Sequence, residues 1–85
     1  MSFDKDRQVV CSRVCRMLRD ERIKRGFSMT ALAQKTGLSQ QAISYVEREM
    51  RIPSLDTLLR ITTALGIALG DVINRASKEI PKPAK

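Results

Sequence analysis

SMTALAQKTGLSQQAISYVER, residues 28–48, is the stretch on which the fold turns. Ser28 opens it and Ser39 stands in its middle, each just ahead of a run with apolar side chains three and four apart. A Ser in that place accepts a hydrogen bond from an otherwise unpaired N–H of the first helical turn. Gly37 lies between the runs. The pattern predicts a helix over about 29–36, a glycine turn, and a second helix from Gln40 to about Arg48. Two short helices cross steeply only if their contact residue is small and the turn accepts positive φ; Ala33 and Gly37 meet those needs. Leu32, Leu38, Ile43 and Val46 then close the wedge. At roughly 100° per residue, Ile43, Val46 and Glu47 share the inward side of the second helix. Gln41, Ser44, Tyr45 and Arg48 fall on the opposite side, with Gln40 at the exposed start. No acidic side chain falls on that outward face.

Helical signals continue on both sides. Upstream, Asp4 or Asp6 is placed to cap a helix running to about Arg25, with Val10, Cys11, Val14, Cys15 and Leu18 on one side and Gly26 at its end. Downstream, the loop Glu49-Met50-Arg51-Ile52-Pro53 stops the helix begun at Gln40. Ser54 caps a helix over 55–65, with Asp56 in its first turn as the helix dipole favours. Its apolar positions are Leu55, Leu58, Leu59, Ile61, Thr62 and Leu65. Gly66 closes it, and a last helix covers about 69–78. Strand signals are weak, with few aromatics and no Asn-Gly or Asp-Gly turn. The expectation is one all-α domain of five helices over residues 1–78, followed by a disordered basic, Pro-containing tail at 79–85.

Composition narrows the function. The chain has 85 residues, 16 Lys plus Arg against 9 Asp plus Glu, a net charge of +7, two Cys and no His. Without His the commonest general base and metal ligand are missing, and two Cys do not fill a four-ligand zinc site. No nucleophile–base pair suggests itself, so an enzyme is not expected, nor a metal or cofactor. A pI near 10.1 on a small domain is the footprint of a nucleic-acid binder, or simply of a soluble surface. The surplus is uneven: residues 1–27 carry eight basic and four acidic side chains, and the middle of the chain is nearly balanced. Charges scattered through the first twenty residues leave no room for a signal core or a spanning helix, so a cytoplasmic, nucleoid-associated protein with reduced thiols and no membrane contact is expected. Cys11 and Cys15, four apart, read as small apolar core residues or as a redox pair, the former preferred.

The same residues carry a resemblance. Arg22 before Gly26, Leu32-Ala33-Gln34-Lys35-Thr36-Gly37-Leu38-Ser39, Gln40-Gln41-Ala42-Ile43-Ser44, Val46-Glu47-Arg48, Pro53-Ser54-Leu55-Asp56-Thr57-Leu58 and Ala64-Leu65-Gly66 are similar to the lambda-repressor-like helix-turn-helix family, of the Cro and xenobiotic-response-element type. The resemblance spans roughly Val14 to Ile73. It implies a compact five-helix domain whose third helix enters the DNA major groove. It also implies a partly buried ion pair between Arg22 and Glu47. Three positions depart from the family's habit. Met29 replaces a frequent Gln, Glu49 stands where Gly is common, and Ala68 where Ser or Thr would cap the last helix.

On that basis Gln40, Gln41, Ser44 and Tyr45 are the candidates for base reading. A glutamine amide offers a donor and an acceptor together, matching adenine N6 and N7. Gln40 is alternatively a plain polar first-turn residue, and Tyr45 a phosphate contact. Phosphate contacts, which position without specifying, fall to Ser39, Arg48, Arg51 and Ser54 with the free N–H groups at helix starts. Lys35 and Arg60 read as solvated charges. The function expected is a sequence-specific regulator of transcription, a repressor, binding double-stranded DNA as a homodimer on a palindromic operator. Its dimer contact would lie on the last helix, at Leu69, Val72, Ile73 and Ala76, or on the first; the last-helix apolar residues are equally readable as core. Alternatives are the antitoxin of a toxin–antitoxin pair, with a toxin as protein partner, a restriction–modification controller, and a protein-interaction module without DNA binding.

Overall fold

The computed structural model describes residues 3–78, with side chains from Asp6 onward; the tail expected at 79–85 lies outside the described residues. Five helices follow one another: α1 (Phe3–Lys24), α2 (Met29–Thr36), α3 (Gln40–Glu47), α4 (Leu55–Leu65) and α5 (Leu69–Lys78). Among the described residues there is no strand. The all-α, five-helix architecture is the one expected. The N-terminal boundary is not: α1 is already helical at Phe3, so Asp4 and Asp6 lie inside it and not ahead of its start.

The interior helices start as their serines dictate. Ser28, Ser39 and Ser54 keep extended backbones, and their hydroxyl oxygens accept from the N–H groups of Ala31, Ala42 and Thr57. Each bond satisfies one orphan donor of a helix start. Gly37 sits at φ 75° and returns its N–H to the Ala33 carbonyl. A side chain there would be doubly disfavoured, by the left-handed backbone and by Arg60 Nη1, 3.3 Å from where a Cβ would stand.

That arginine is not a plain solvated charge. Arg60 ion-pairs with Asp56 at 2.8 Å and donates from Nη1 to the Thr36 carbonyl at 3.1 Å, so α4 ties off the end of α2. Lys35 likewise has company, its ammonium 5.2 Å from the Phe27 ring centroid.

The core draws on every helix: Val14, Cys15 and Leu18 from α1, Leu32 and Ala33 from α2, Ile43 and Val46 from α3, Ile61 and Leu65 from α4, Val72 and Ala76 from α5. Each of the larger aliphatics stabilises by about 1.5–3 kcal/mol. The apolar stripe of α4 is narrower than its sequence suggests. Ile61, Thr62 and Leu65 are buried, whereas Leu55 and Leu59 face solvent. On α5, Leu69, Val72 and Ala76 are core and Ile73 is 38% exposed. The three buried residues are taken up by the core, one of the two readings that the sequence left open for them. Ala68 supplies no side-chain cap, and the N–H groups of Asp71 and Val72 both bond to its carbonyl instead.

α3 closes at Glu47, with Arg48 beyond it as the cap. Glu49 then adopts φ 59°, the left-handed conformation that favours Gly, although its side chain departs from the family's Gly there. Its carboxylate accepts from the Ser12 hydroxyl and lies 3.9 Å from Arg16 Nε, fastening the turn after α3 to α1.

Candidate nucleic-acid interface

α3 is gripped from below. Ile43 and Val46 are sunk in the core, and Glu47 points the same way. There it meets Arg22 of α1: Nε donates to Oε2 at 2.6 Å and Nη2 to Oε1 at 2.9 Å. The third arm, Nη1, donates to the Phe27 carbonyl at 2.8 Å. Arg22 therefore joins α1, the α1–α2 turn and α3 with one planar fork, a task for which a lysine ammonium lacks the geometry. This pair sets the roll of α3 about its own axis, and so what α3 presents outward.

What it presents is an open hollow lined by Met29, Gln40, Gln41, Ser44, Tyr45, Arg48 and Met50. The four base-reading candidates and Arg48 thus share one surface. Arg51 joins it from the following loop, its guanidinium 4.8 Å from the Tyr45 ring centroid. The Tyr45 hydroxyl accepts from Gln41 Nε2 at 2.7 Å. Gln41, Tyr45 and Arg51 therefore form a continuous chain of contacts across the face. Gln40 is held separately, its Oε1 accepting from the Thr30 hydroxyl at 3.1 Å.

The remaining candidates sit at its margins. Ser39 caps α3 through its oxygen, which leaves the O–H out of the cap. Ser54 caps α4 and also donates to Thr57 Oγ1 at 3.0 Å, away from the hollow.

Three contributors were not legible in the sequence as parts of the site. Thr30 reaches Gln40 only because α2 and α3 cross where they do. Met50 lines the hollow although it follows α3. Glu49 orients the loop bearing Arg51; the sequence marked the position only as a departure from Gly, and neither its backbone nor its partners on α1 were foreseen.

Elsewhere, Cys15 is buried and free, and Cys11 half-buried beside it. Burial, then the charges of Glu49 and Cys11, push the Cys15 thiol up to about 11, the opposite of an activated thiolate. Among the described residues no group of three or more His, Cys, Asp or Glu is placed to hold a metal ion, and no helix is long and apolar enough to cross a membrane.

Two short helices joined by a glycine turn, with a polar outward face on the second, are the arrangement of a helix-turn-helix, and the sequence pattern of that family matches residues 18–72. The chain belongs to the helix-turn-helix family. That family is one of DNA-binding regulators of transcription. It is 31% identical over 64 residues to the HTH-type transcriptional regulator SutR of Escherichia coli, a match covering 75% of this chain and 36% of SutR. The chain thus spans about a third of that protein's length. Among solved structures it is similar to a point mutant of the restriction–modification controller protein C.Esp1396I, with TM-score 0.74 and 27% identity over 82% of this chain and 91% of that one. It is also similar to the hypothetical transcription factor NHTF from Neisseria, with TM-score 0.69 and 25% identity over 80% and 75% of the two chains.

Proposed function

We propose that this helix-turn-helix protein is a cytoplasmic, sequence-specific repressor that lays α3 in the major groove of double-stranded DNA and acts as a homodimer. The observation that carries this is the face of α3: Gln40, Gln41, Ser44 and Tyr45 on one hollow, with no carboxylate among its lining residues. A major groove about 12 Å wide admits such a helix, and polar side chains there read base edges. Arg48, Arg51, Ser39 and Ser54 hold phosphates at the edges of the footprint, positioning α3 without specifying sequence.

One short helix reads few base pairs, so useful specificity calls for two copies on half-sites about 34 Å apart. Ile52 and Ile73 support a contact between copies. Both are exposed, and both line an apolar recess with Val10, Cys11, Val14, Cys15, Pro53 and Leu58. Of the two dimer surfaces expected, this reading favours the first helix, together with the α3–α4 loop and Ile73, the exposed large apolar residue of α5.

Selection of preferred sites from random duplex DNA tests the reading. The wild type should enrich a two-fold-related site, and Gln41→Ala should lose preference at one base pair in each half. Enrichment of no sequence would refute sequence-specific binding; uniform weakening by Gln41→Ala would reduce Gln41 to a positioning role. The likeness to a restriction–modification controller favours one second reading, regulation of a restriction–modification operon. Flanking genes encoding a methyltransferase and a nuclease would select it.

A further inference from the structure

Helix α1 runs from Phe3 to Lys24, yet the family's pattern begins only at residue 18. Residues 3–17 thus lie outside that pattern. Their apolar side is accounted for: Val14 and Cys15 are core, and Val10 packs against it. Their polar side is not. With Gln8 set at zero and about 100° per residue, Ser12 falls near 40°, Arg16 near 80° and Arg13 near 140°, while Val10, Val14 and Cys15 lie between about 200° and 340°. Gln8, Ser12, Arg13 and Arg16 line one open hollow with Val9, and no carboxylate is among them. Past Arg19 the helix turns acidic at Asp20 and Glu21, and the strip ends there.

This strip is fastened beside the reading face. Ser12 donates to the Glu49 carboxylate, Arg16 Nη2 donates to Ser12 Oγ at 3.3 Å, and Arg16 Nε lies 3.9 Å from Glu49. Gln8, Cys11 and Ser12 of α1 share a cleft with Glu49, Met50 and Arg51 of the α3–α4 loop. Met50 also lines the hollow of α3. One loop therefore separates the polar strip of α1 from Gln41 and Tyr45.

We infer that the first half of α1 is a second DNA-contacting surface, which holds the phosphate backbone outside the base pairs faced by α3. The inference rests on the DNA-binding reading above and adds a contact to it. Arginine, serine and glutamine are donors that phosphate oxygens accept from, and the hollow holds no carboxylate to repel them. The place of the strip beside the reading face favours DNA over an acidic protein. Arg16 is 60% exposed and its pairing with Glu49 is loose, so its guanidinium, with five N–H donors, has room for a phosphate as well. From Gln8 to Arg16 the helix rises about 12 Å. That is the axial length of roughly three to four nucleotides, and each copy lengthens its footprint by about as much.

The test uses the duplex enriched by site selection, either cut at the last enriched base pair or extended by about four base pairs on each side. The wild type should bind the extended duplex roughly eightfold more tightly at 0.1 M salt, the gain of one phosphate contact relative to 1 M. Gln8→Lys should widen that gain, and Gln8→Glu should remove most of it. Arg16→Gln should lower the slope of log affinity against log salt by about 0.9 on the extended duplex. Gln8 is exposed and stands outside the link between Ser12, Arg16 and Glu49, so matching thermal melts show both Gln8 variants folded. Affinity indifferent to extension, equal gains for Gln8→Lys and Gln8→Glu, or a slope unchanged by Arg16→Gln overturns the inference alone and leaves the strip a solvated face. A wild type that enriches no site overturns the DNA-binding reading beneath it.

Discussion

Replacing Glu47 by Ala strips Arg22 of the carboxylate that takes its Nε and Nη2 protons at 2.6 and 2.9 Å. The side chains are only 11% and 4% exposed, so water cannot take the carboxylate's place without opening the bundle. Breaking a buried pair by removing one partner costs about 3–5 kcal/mol. Arg22 keeps its 2.8 Å bond to the Phe27 carbonyl, which argues for the lower end of that range. In a domain of this size each kcal/mol moves Tm by about 4–8 °C, so a loss near 3 kcal/mol lowers Tm by roughly 12–24 °C. Far-UV circular dichroism through a thermal ramp measures it. A second variant tests the mechanism and not merely the size. Arg22→Met combined with Glu47→Leu leaves no stranded charge and should recover most of the loss. A single variant melting within about 4 °C of wild type, or a double variant less stable than the single, would refute the reasoning.

Three further outcomes follow from the geometry. Gly37→Ala forces a Cβ into a left-handed position with Arg60 Nη1 at 3.3 Å, and should cost about 1–2 kcal/mol in urea unfolding; an unchanged midpoint would show that the turn relaxes freely. Glu49→Gly should be more stable than Glu49→Ala. Gly relieves the strain of φ 59° while both lose the Ser12 and Arg16 contacts, so equal midpoints would mean that strain is not stored there. Cys15 keeps its proton to about 11 when folded, against an ordinary 9.0. The folded state then holds the proton more tightly, so this contribution to stability is complete below pH 9 and fades as pH rises toward 11. The alkaline loss should be shallower in Cys15→Ala, and parallel pH profiles would contradict it.

How much of this was legible depends on how local the cause is. The capping of α2, α3 and α4 is written in single serines, and the α2–α3 turn in one glycine, because caps and turns are settled within four residues. The roll of α3 was legible too, since Ile43, Val46 and Glu47 fix it by spacing alone. Long-range facts were not. Nothing in the sequence of α4 says that Leu55 and Leu59 stay outside while Thr62 goes in; the end of α2 and the wall of α1 decide that. Leu69, Val72 and Ala76 looked equally suited to a core and to a partner, because an amphipathic helix records that it has an apolar side and not what covers it. The Thr30–Gln40 bond, across ten residues, depends on a crossing angle that no local pattern encodes.

Charge and specificity are divided along the same lines, and the division is measurable. α3 itself carries no basic residue, and its one acid, Glu47, is buried. The net charge of +7 therefore resides on other elements, and the pull of the phosphate backbone comes chiefly from them. Arg48, at the end of α3, is exposed and lines the reading hollow. Arg51 is exposed as well, but it also lies over Tyr45 and through it supports Gln41. Each phosphate contact adds about 0.9 to the slope of log affinity against log salt. Arg48→Gln should lower that slope by about one such unit and leave the selected sequence as it was. Arg51→Gln should lower the slope equally and, in addition, blur the base pair assigned to Gln41. If both variants flatten the slope but neither changes the sequence, Arg51 positions the backbone only, and the ring contact has no part in reading.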